Sequence, residues 1–176
     1  TRGQQWGAYK LLTQNISHEN IPQELKDRPQ WVLWGPRKNS KGVMVDKTPV
    51  NLKTGSNADP TDPNTWGIYT EAAEAMTKSN NISGIGFVFA ATDAYCGIDL
   101  DKCRNPQTGE IEPWALNIVN QFNSYTEISP SGSGLHIIIK GKKPGPKCKK
   151  RGGRIEMYDC AHYFTITGNL LPEEST

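Results

Sequence analysis

The sequence predicts an α+β fold, in which a mostly antiparallel sheet is backed by a few helices. Short apolar and aromatic segments, separated by turn-forming residues, recur along the chain and are typical of strands. One long segment, around residue 118, has strong helical periodicity. The 176 residues suffice for a domain with a sizeable core, since chains of about 150 residues bury roughly 68–70% of their unfolded surface.

The first half of the chain predicts two helices with strands between them. Residues 1–20 are polar and lack clear periodicity, so we expect an N-terminal extension. A brief helix is predicted at 21–26, where Pro22 suits the first helical turn. A second helix is predicted at 70–78, with Thr70 as its N-cap. Short apolar runs predict strands at 31–34, 43–45 and 47–50.

The second half of the chain predicts one strong helix and several strands. Trp114, Ile118 and Phe122 recur at steps of four after Pro113, with Ala115 and Val119 beside them. This pattern predicts an amphipathic helix that starts near the proline. Two strands at 85–89 and 97–101 are interpreted as neighbours joined by a turn at 92–93. Further strands are predicted at 125–129, 135–140, 154–158 and 163–167.

Basic residues are concentrated in one segment of a chain whose net charge is only +2. The segment from 140 to 154 holds eight basic residues and no acid. They are Lys140, Lys142, Lys143, Lys147, Lys149, Lys150, Arg151 and Arg154. Such a cluster creates a local positive field that suits a polyanion, although a solvated loop is an equal alternative for a charge run on its own.

The cysteines and the apolar runs indicate a reduced, cytoplasmic protein. The four cysteines form no CxxC pair, and the chain has neither an export leader nor an apolar run of about 18 residues. A zinc site built from Cys148, Cys160 and His162 would fit no standard ligand spacing. Because the chain begins at Thr1 rather than at Met, we expect it to be a fragment of a longer protein.

Two acids stand at alternate positions of the predicted strand 97–101. Residues i and i+2 of a strand point to the same face, so Asp99 and Asp101 are expected side by side, with Cα atoms about 6.6 Å apart. Ile98 and Leu100 then face a core. Paired carboxylates repel unless a cation lies between them, and oxygen ligands of this kind suit Mg²⁺ or Mn²⁺. A solvent-exposed acidic pair at a strand end is the alternative.

A segment rich in serine and glycine at 129–134 leads directly into the strand that carries His136. Small residues allow close approach of a ligand to the backbone, and the hydroxyls of Ser131 and Ser133 suit phosphate oxygens. The imidazole of His136 can donate a hydrogen bond to the same phosphate. A flexible hairpin with an incidental histidine is the alternative, and the absence of a following GK[ST] excludes a Walker loop.

A third candidate acid lies on the predicted strand 154–158. Glu156 can supply another carboxylate to a pair of metal ions, with Asp159 as the second choice for this ligand. A structural salt bridge between Glu156 and a neighbouring basic side chain is the alternative.

The order of these three elements resembles the catalytic set of the archaeo-eukaryotic primase superfamily. The elements are D-x-D, then S-G-x-G-x-H, then a strand-borne acid near a tyrosine. The closer similarity is to the primase-polymerase domains of phage, plasmid and other mobile-element replication proteins. It extends over about 21–168 and includes three flanking segments, at 28–34, 47–55 and 163–168.

The resemblance implies a catalytic domain at 21–176, with an RRM-like sheet that carries the acids beside an N-terminal α/β lobe. Asp99, Asp101 and Glu156 correspond to ligands of two Mg²⁺ or Mn²⁺ ions. The residues expected to hold the triphosphate of a (d)NTP are His136, Ser131, Ser133 and Lys47. Two positions depart from the pattern: the third acid is Glu where many relatives have Asp, and His162 replaces an arginine that usually precedes the tyrosine.

The resemblance therefore predicts template-directed nucleotidyl transfer, as a DNA primase, a DNA polymerase or both. DNA template and primer are the implied partners, with the basic residues at 142–151 along the template backbone, and a helicase domain is a further candidate partner. A catalytically inactive module that binds single strands and a metal-dependent nuclease are the alternatives. A rolling-circle nuclease is disfavoured, because the three histidines form no HxH pair.

Overall fold

The computed structural model describes residues 14–172. The strands are β1 (Trp31–Lys38), β2 (Met44–Val50), β3 (Gly84–Phe89), β4 (Tyr95–Leu100), β5 (Tyr125–Ile128), β6 (Leu135–Lys140), β7 (Lys149–Lys150), β8 (Ile155–Tyr158) and β9 (His162–Ile166). The helices are α1 (Gln23–Lys26), α2 (Tyr69–Lys78) and α3 (Pro113–Phe122). The predicted α+β class with antiparallel strands is confirmed.

The strands form two sheets. The first sheet has the order β2-β1-β3-β9, and the second has the order β5-β6-β4-β8-β7. All pairings between neighbouring strands are antiparallel. Strand β9, near the end of the described chain, returns to complete the sheet built by the N-terminal strands.

The prediction that β3 and β4 are neighbours in one sheet is wrong, because they lie in different sheets. The link between them is fixed by Asp93, whose side chain is buried. Its carboxylate accepts hydrogen bonds from Gln30 Nε2 (2.6 Å) and from the backbone N–H groups of Ala90 (3.0 Å) and Tyr95 (2.7 Å). These hydrogen bonds stabilise a connection that crosses from the first sheet to the second, so β3 and β4 do not form a hairpin.

Two details of the helices differ from the predictions. Helix α2 begins at Tyr69 with Ile68 at the N-cap, so Thr70 lies inside the first turn. In α3 the fully buried positions are Ala115 and Val119, whereas Phe122 is exposed. Trp114 and Ile118 pack against the same core and are partly buried.

Aromatic side chains join the two sheets. Phe87 of the first sheet contacts Tyr95 of β4 through an edge-to-face ring pair, and Phe89 forms the same kind of pair with Phe164 of β9, within the first sheet. Gly97 of β4 lies against this cluster, and a Cβ there would be 2.4 Å from the Phe89 ring. The glycine before the two acids is therefore a packing requirement of the sheet-to-sheet contact.

The opposite face of the second sheet packs against α3. Ile98 and Leu100 of β4 point into this second core, together with Leu135 and Ile137 of β6. Because strand residues alternate, Asp99 points to the other face, towards the first sheet. Within residues 14–172, no helix has the length and apolar character needed to cross a membrane.

Candidate active site

A row of polar side chains crosses the second sheet at one register position. His136 pairs with Asp99, and Asp99 pairs with Glu156. The row continues to Glu127 beyond His136 and to Lys149 beyond Glu156. Residues directly opposite one another on antiparallel strands share a face, with Cβ atoms about 4.5–5.5 Å apart. The register therefore brings together three site residues that the sequence predicts.

Asp99 occupies the centre of this row. Burial is the largest influence on its carboxyl group and raises the pKa of Asp99 above its ordinary value. The negative charges of Asp101 and Glu156 act in the same direction, whereas His136 and Lys47 oppose them. The carboxylates of Asp101 and Glu156 thus both lie close enough to Asp99 to disfavour its negative charge.

Asp101 follows the last residue of β4, and its backbone N–H donates to the Arg154 carbonyl (2.9 Å). This bond extends the contact with the chain around β8 by one position. Asp101 is near enough to Asp99 for its negative charge to raise the pKa of Asp99, and a shared face for the two side chains stays a prediction.

Glu156 is held by two donors on its own side of the sheet. Lys149 Nζ lies 2.7 Å from Oε1, and the Tyr158 hydroxyl donates to Oε2 at 2.6 Å. Partial burial alone would raise the pKa of Glu156, but these two hydrogen bonds lower it below its ordinary value. The salt bridge with a basic neighbour is therefore present, in addition to the contact with Asp99.

The donor chemistry of the site suits a hard divalent cation, because converging carboxylates supply only oxygen ligands. No group of three or more His, Cys, Asp or Glu side chains in the described part of the chain forms a ready metal cage. Glu156 is directed to Lys149 and Tyr158 instead. Binding of a metal ion by all three acids therefore requires their side chains to rearrange, and Lys149 and Tyr158 compete for Glu156.

Asp159, the second choice for the third acid, lies beyond β8 and accepts a hydrogen bond from the Lys143 backbone N–H (3.1 Å). It is outside the polar row, which favours Glu156. The zinc alternative gains no support either, since Cys148, Cys160 and His162 form no metal cluster within residues 14–172. His162 stacks on Tyr158 with ring centroids 3.7 Å apart.

His136 is buried, with its two ring nitrogens facing different partners. Nδ1 lies 3.1 Å from Glu127 Oε1, and Nε2 lies 3.9 Å from Asp99 Oδ1. The ring also rests on Phe164, with centroids 5.0 Å apart. The Nε2 edge is therefore the one directed at the acids.

The Ser/Gly loop between β5 and β6 is fixed against the end of β4. The Ser133 carbonyl accepts hydrogen bonds from the backbone N–H groups of Cys103 and Arg104, and Arg104 Nη1 donates to the Gly132 carbonyl (2.9 Å). The hydroxyls of Ser131 and Ser133 lie 2.9 Å apart. These contacts place the loop against the end of β4, next to Asp101.

Lys47 approaches the site from the first sheet. It lies on β2, is exposed, and its positive charge lowers the pKa of Asp99. The Tyr163 hydroxyl donates to the Lys47 carbonyl and ties β2 to β9. Both sheets thus contribute residues to the candidate site.

The basic segment forms an edge of the second sheet beside the acids. Lys149 and Lys150 make up β7, which pairs with β8. Arg151 lies over the Trp114 ring at 4.9 Å, and Lys142 Nζ donates to the Ala91 carbonyl. Lys143 Nζ donates to the Gly145 carbonyl, and Lys147 is exposed. The basic side chains therefore lie along the edge strand β7 and the loop that precedes it, and β7 pairs with the strand that carries Glu156.

One contributor to the site, Glu127, is absent from the sequence prediction, and the tyrosine expected near the third acid is Tyr158. The hairpin register could have revealed Glu127, since the pair formed by Ile128 and Leu135 places Glu127 opposite His136. Tyr158 stands two residues after Glu156 on the same face of β8, which is the spacing that its hydroxyl contact needs.

A comparison with known proteins finds a relative of this chain. No protein-family profile matches the sequence. The chain is 36% identical over 146 residues to a protein of Nitratiruptor phage NrS-1 called DNA Primase-polymerase. The match includes 81% of this chain but only 19% of the phage protein, so the chain spans about a fifth of the length of that relative.

Proposed function

The chain belongs to the phage primase-polymerase family, and we propose that it catalyses template-directed nucleotidyl transfer, starting or extending DNA strands from (d)NTPs. The observation that carries the proposal is the register of β6, β4 and β8, which sets His136, Asp99 and Glu156 side by side. A replication role in a phage or another mobile element is part of this proposal.

Asp99, Asp101 and Glu156 would hold Mg²⁺ or Mn²⁺. Two such ions would lower the pKa of the attacking 3′-hydroxyl and neutralise the leaving pyrophosphate. Burial, and after it repulsion by Asp101 and Glu156, raises the pKa of Asp99, and this supports the role because a bound cation would favour the ionised carboxylate. In the absence of metal, Lys149 supplies part of the positive charge that Glu156 needs.

Triphosphate binding is assigned to His136, Ser131, Ser133 and Lys47. The Nε2 edge of His136 and the two hydroxyls offer short hydrogen bonds, and the Lys47 ammonium offers charge from the facing sheet. Fixed donors of this kind orient the α-phosphate for in-line attack, which is where most of the catalytic gain in phosphoryl transfer arises. The ordered Ser/Gly loop supports this assignment, because a rigid loop loses little entropy on binding.

DNA is the proposed partner of the basic edge. Lys147, Lys150 and Arg151 would follow the phosphate backbone without reading sequence, and salt would weaken this contact. Since the phage relative is much longer, a helicase or another replication partner would act from segments beyond this chain.

A passive binding module is a weaker alternative for a physical reason. Several carboxylates on the face beside the basic edge repel a phosphate backbone, and burial of Asp99 adds a desolvation cost. A surface that only binds DNA gains nothing from such a row. A nuclease would use the same acids but has no need of the Ser/Gly loop and His136.

Extension of a labelled primer on a template tests the proposal. The intact chain should extend the primer with Mg²⁺ or Mn²⁺, and parallel reactions with dNTPs and NTPs identify the preferred sugar. Asp99→Asn should reduce the rate about 10²-fold or more, as is typical when a charge-stabilising group is removed. Asp159→Asn, which changes an acid outside the row, is the matched control and should extend normally.

DNA binding by fluorescence anisotropy separates the alternatives. Binding without extension by the intact chain would support the passive module, and cleavage of the strand without added nucleotide would support the nuclease. Loss of extension with retained DNA binding in Asp99→Asn supports nucleotidyl transfer.

A further inference from the structure

Glu127 is a fully buried acid on β5 with an unusual set of partners. Its exposed fraction is 0%. Oε2 accepts hydrogen bonds from the Tyr125 hydroxyl (2.6 Å) and from the backbone N–H groups of Thr167 (3.0 Å) and Gly168 (2.8 Å). Oε1 lies 3.1 Å from His136 Nδ1 and 3.1 Å from the Thr167 nitrogen. A buried carboxylate is stable only when its lone pairs are satisfied in this way.

The partners of Glu127 determine which nitrogen of His136 carries a hydrogen. The two backbone N–H groups can only donate, so they select the carboxylate as an acceptor. Nδ1 of His136 must then donate to Oε1, and Nε2 is left for the side of the acids. The carboxylate thus keeps a hydrogen on Nδ1 and fixes the orientation of the ring, and Nε2 donates to a phosphate when it carries a hydrogen as well.

The same carboxylate anchors the ring to the segment that follows β9. Gly168 has a positive φ of 66° and packs so tightly that an added Cβ would lie 2.2 Å from the Ser17 carbonyl oxygen. The Thr167 hydroxyl donates to the Ile128 carbonyl at 2.7 Å. The two N–H groups that hold Glu127 therefore belong to a rigid part of the structure.

We propose that Glu127 is a positioning residue for nucleotide binding, which holds His136 with its Nε2 edge presented to the triphosphate. The inference rests on the proposed function, because the role of His136 as a triphosphate ligand comes from there. It adds a residue outside the D-x-D, S-G-x-G-x-H and Glu156 elements. Glu127 itself does not contact the substrate.

The first test is Glu127→Gln, with nucleotide KM and kcat measured by primer extension. Glutamine brings an NH₂ group among donors, so at least one hydrogen bond is broken and the ring of His136 is released. Nucleotide KM should rise about 5- to 100-fold, with a smaller change in kcat. Tyr125→Phe removes one donor to Glu127 without touching His136 and should keep nucleotide KM within about threefold.

A double variant distinguishes positioning from general stability. If Glu127 acts through His136, Glu127→Gln should raise KM no further when His136→Ala is already present. An equal rise in both backgrounds overturns the proposal, and so does a folded Glu127→Gln variant with unchanged KM. Thermal unfolding of each variant shows that the compared proteins are folded.

A measurement on the intact chain keeps the proposal testable even if Glu127→Gln does not fold. The ¹H–¹⁵N spectrum should show His136 Nδ1–H as a hydrogen-bonded signal protected from exchange, and an unprotonated Nδ1 would overturn the proposal. This result does not depend on catalysis. A chain that neither binds nor incorporates nucleotides, yet shows this signal, refutes the proposed function and with it the role of Glu127 in nucleotide binding.

Discussion

Lys149 Nζ lies 2.7 Å from Glu156 Oε1, on the edge strand next to the strand that carries this acid. The Lys149 ammonium group is therefore paired with the carboxylate that a divalent cation at this site would need as a ligand. The ion pair makes Lys149 a competitor for the metal ion that we propose for the site. The pair is largely exposed on the lysine side, so the competition is expected to be mild.

Replacing Lys149 should make metal binding easier. In Lys149→Met, Glu156 is free to turn towards Asp99, and one repulsive charge near the cation is removed. The Mg²⁺ concentration for half-maximal primer extension should fall, within about fivefold because exposed ion pairs are weak. Lys150→Met is the matched control, since adjacent strand residues point to opposite faces and the charge change is the same. An unchanged Mg²⁺ requirement in Lys149→Met would contradict competition by the ammonium group.

Asp99 should destabilise the metal-free protein at neutral pH. Burial raises the pKa of Asp99, so the folded state resists ionisation of a group that ionises readily in the unfolded chain. The resulting loss in the free energy of unfolding is absent at pH values below the pKa of the aspartic acid in the unfolded chain. It is fully present once the pH exceeds the raised pKa of Asp99 in the folded protein. Asp99→Asn should therefore raise the melting temperature at pH 7 by on the order of 1–3 °C, with chelator present.

The sign of this effect is checked by repeating the melts in acid. At pH values below the ordinary pKa of an aspartic acid, the two proteins should melt alike, because Asp99 is then protonated in both states. Asp46→Asn, at an exposed position on β2, should show no gain at either pH. A gain of the same size at acid and neutral pH would point to a cause other than ionisation.

Gly97 should tolerate no side chain, because of its packing rather than its position beside the candidate site. A Cβ would lie 2.4 Å from the Phe89 ring and 2.5 Å from the Phe164 ring, both of them buried. Gly97→Ala should therefore lower the free energy of unfolding by about 1–3 kcal/mol, the usual cost of overpacking. At Gly141 the nearest atom would be 3.8 Å away, so Gly141→Ala is the control in urea denaturation. Equal stability of the two variants would show that the aromatic cluster adapts.

The sequence predicted the strands of the site well and the partners of some strands poorly. Alternation in 97–101 predicts a shared face for Asp99 and Asp101, and the antiparallel register aligns Asp99 with His136 and Glu156. Periodicity reveals that a strand exists but not which strand it pairs with, and for this reason the assignment of β3 and β4 to one sheet failed.

Glu127 escaped prediction because an isolated acid in a strand looks like a solvent-facing residue. Its burial depends on donors from Thr167 and Gly168, about 40 residues away in sequence, and no local pattern encodes that arrangement. The same limit applies to Phe122, which the helical period alone placed on the buried face.

The basic edge should contribute charge, rather than specificity, to DNA binding. Lys147 and Lys150 are both exposed in the segment beside the acids. Replacing both with alanine should weaken binding to any primer-template and reduce the slope of log K against log[salt] by about 1 for each phosphate that the protein no longer neutralises. Lys53→Ala with Lys78→Ala carries the same charge change on the first-sheet side of the molecule and is the control. Anisotropy titrations at several salt concentrations measure both slopes, and equal slopes for the two double variants would place the DNA elsewhere.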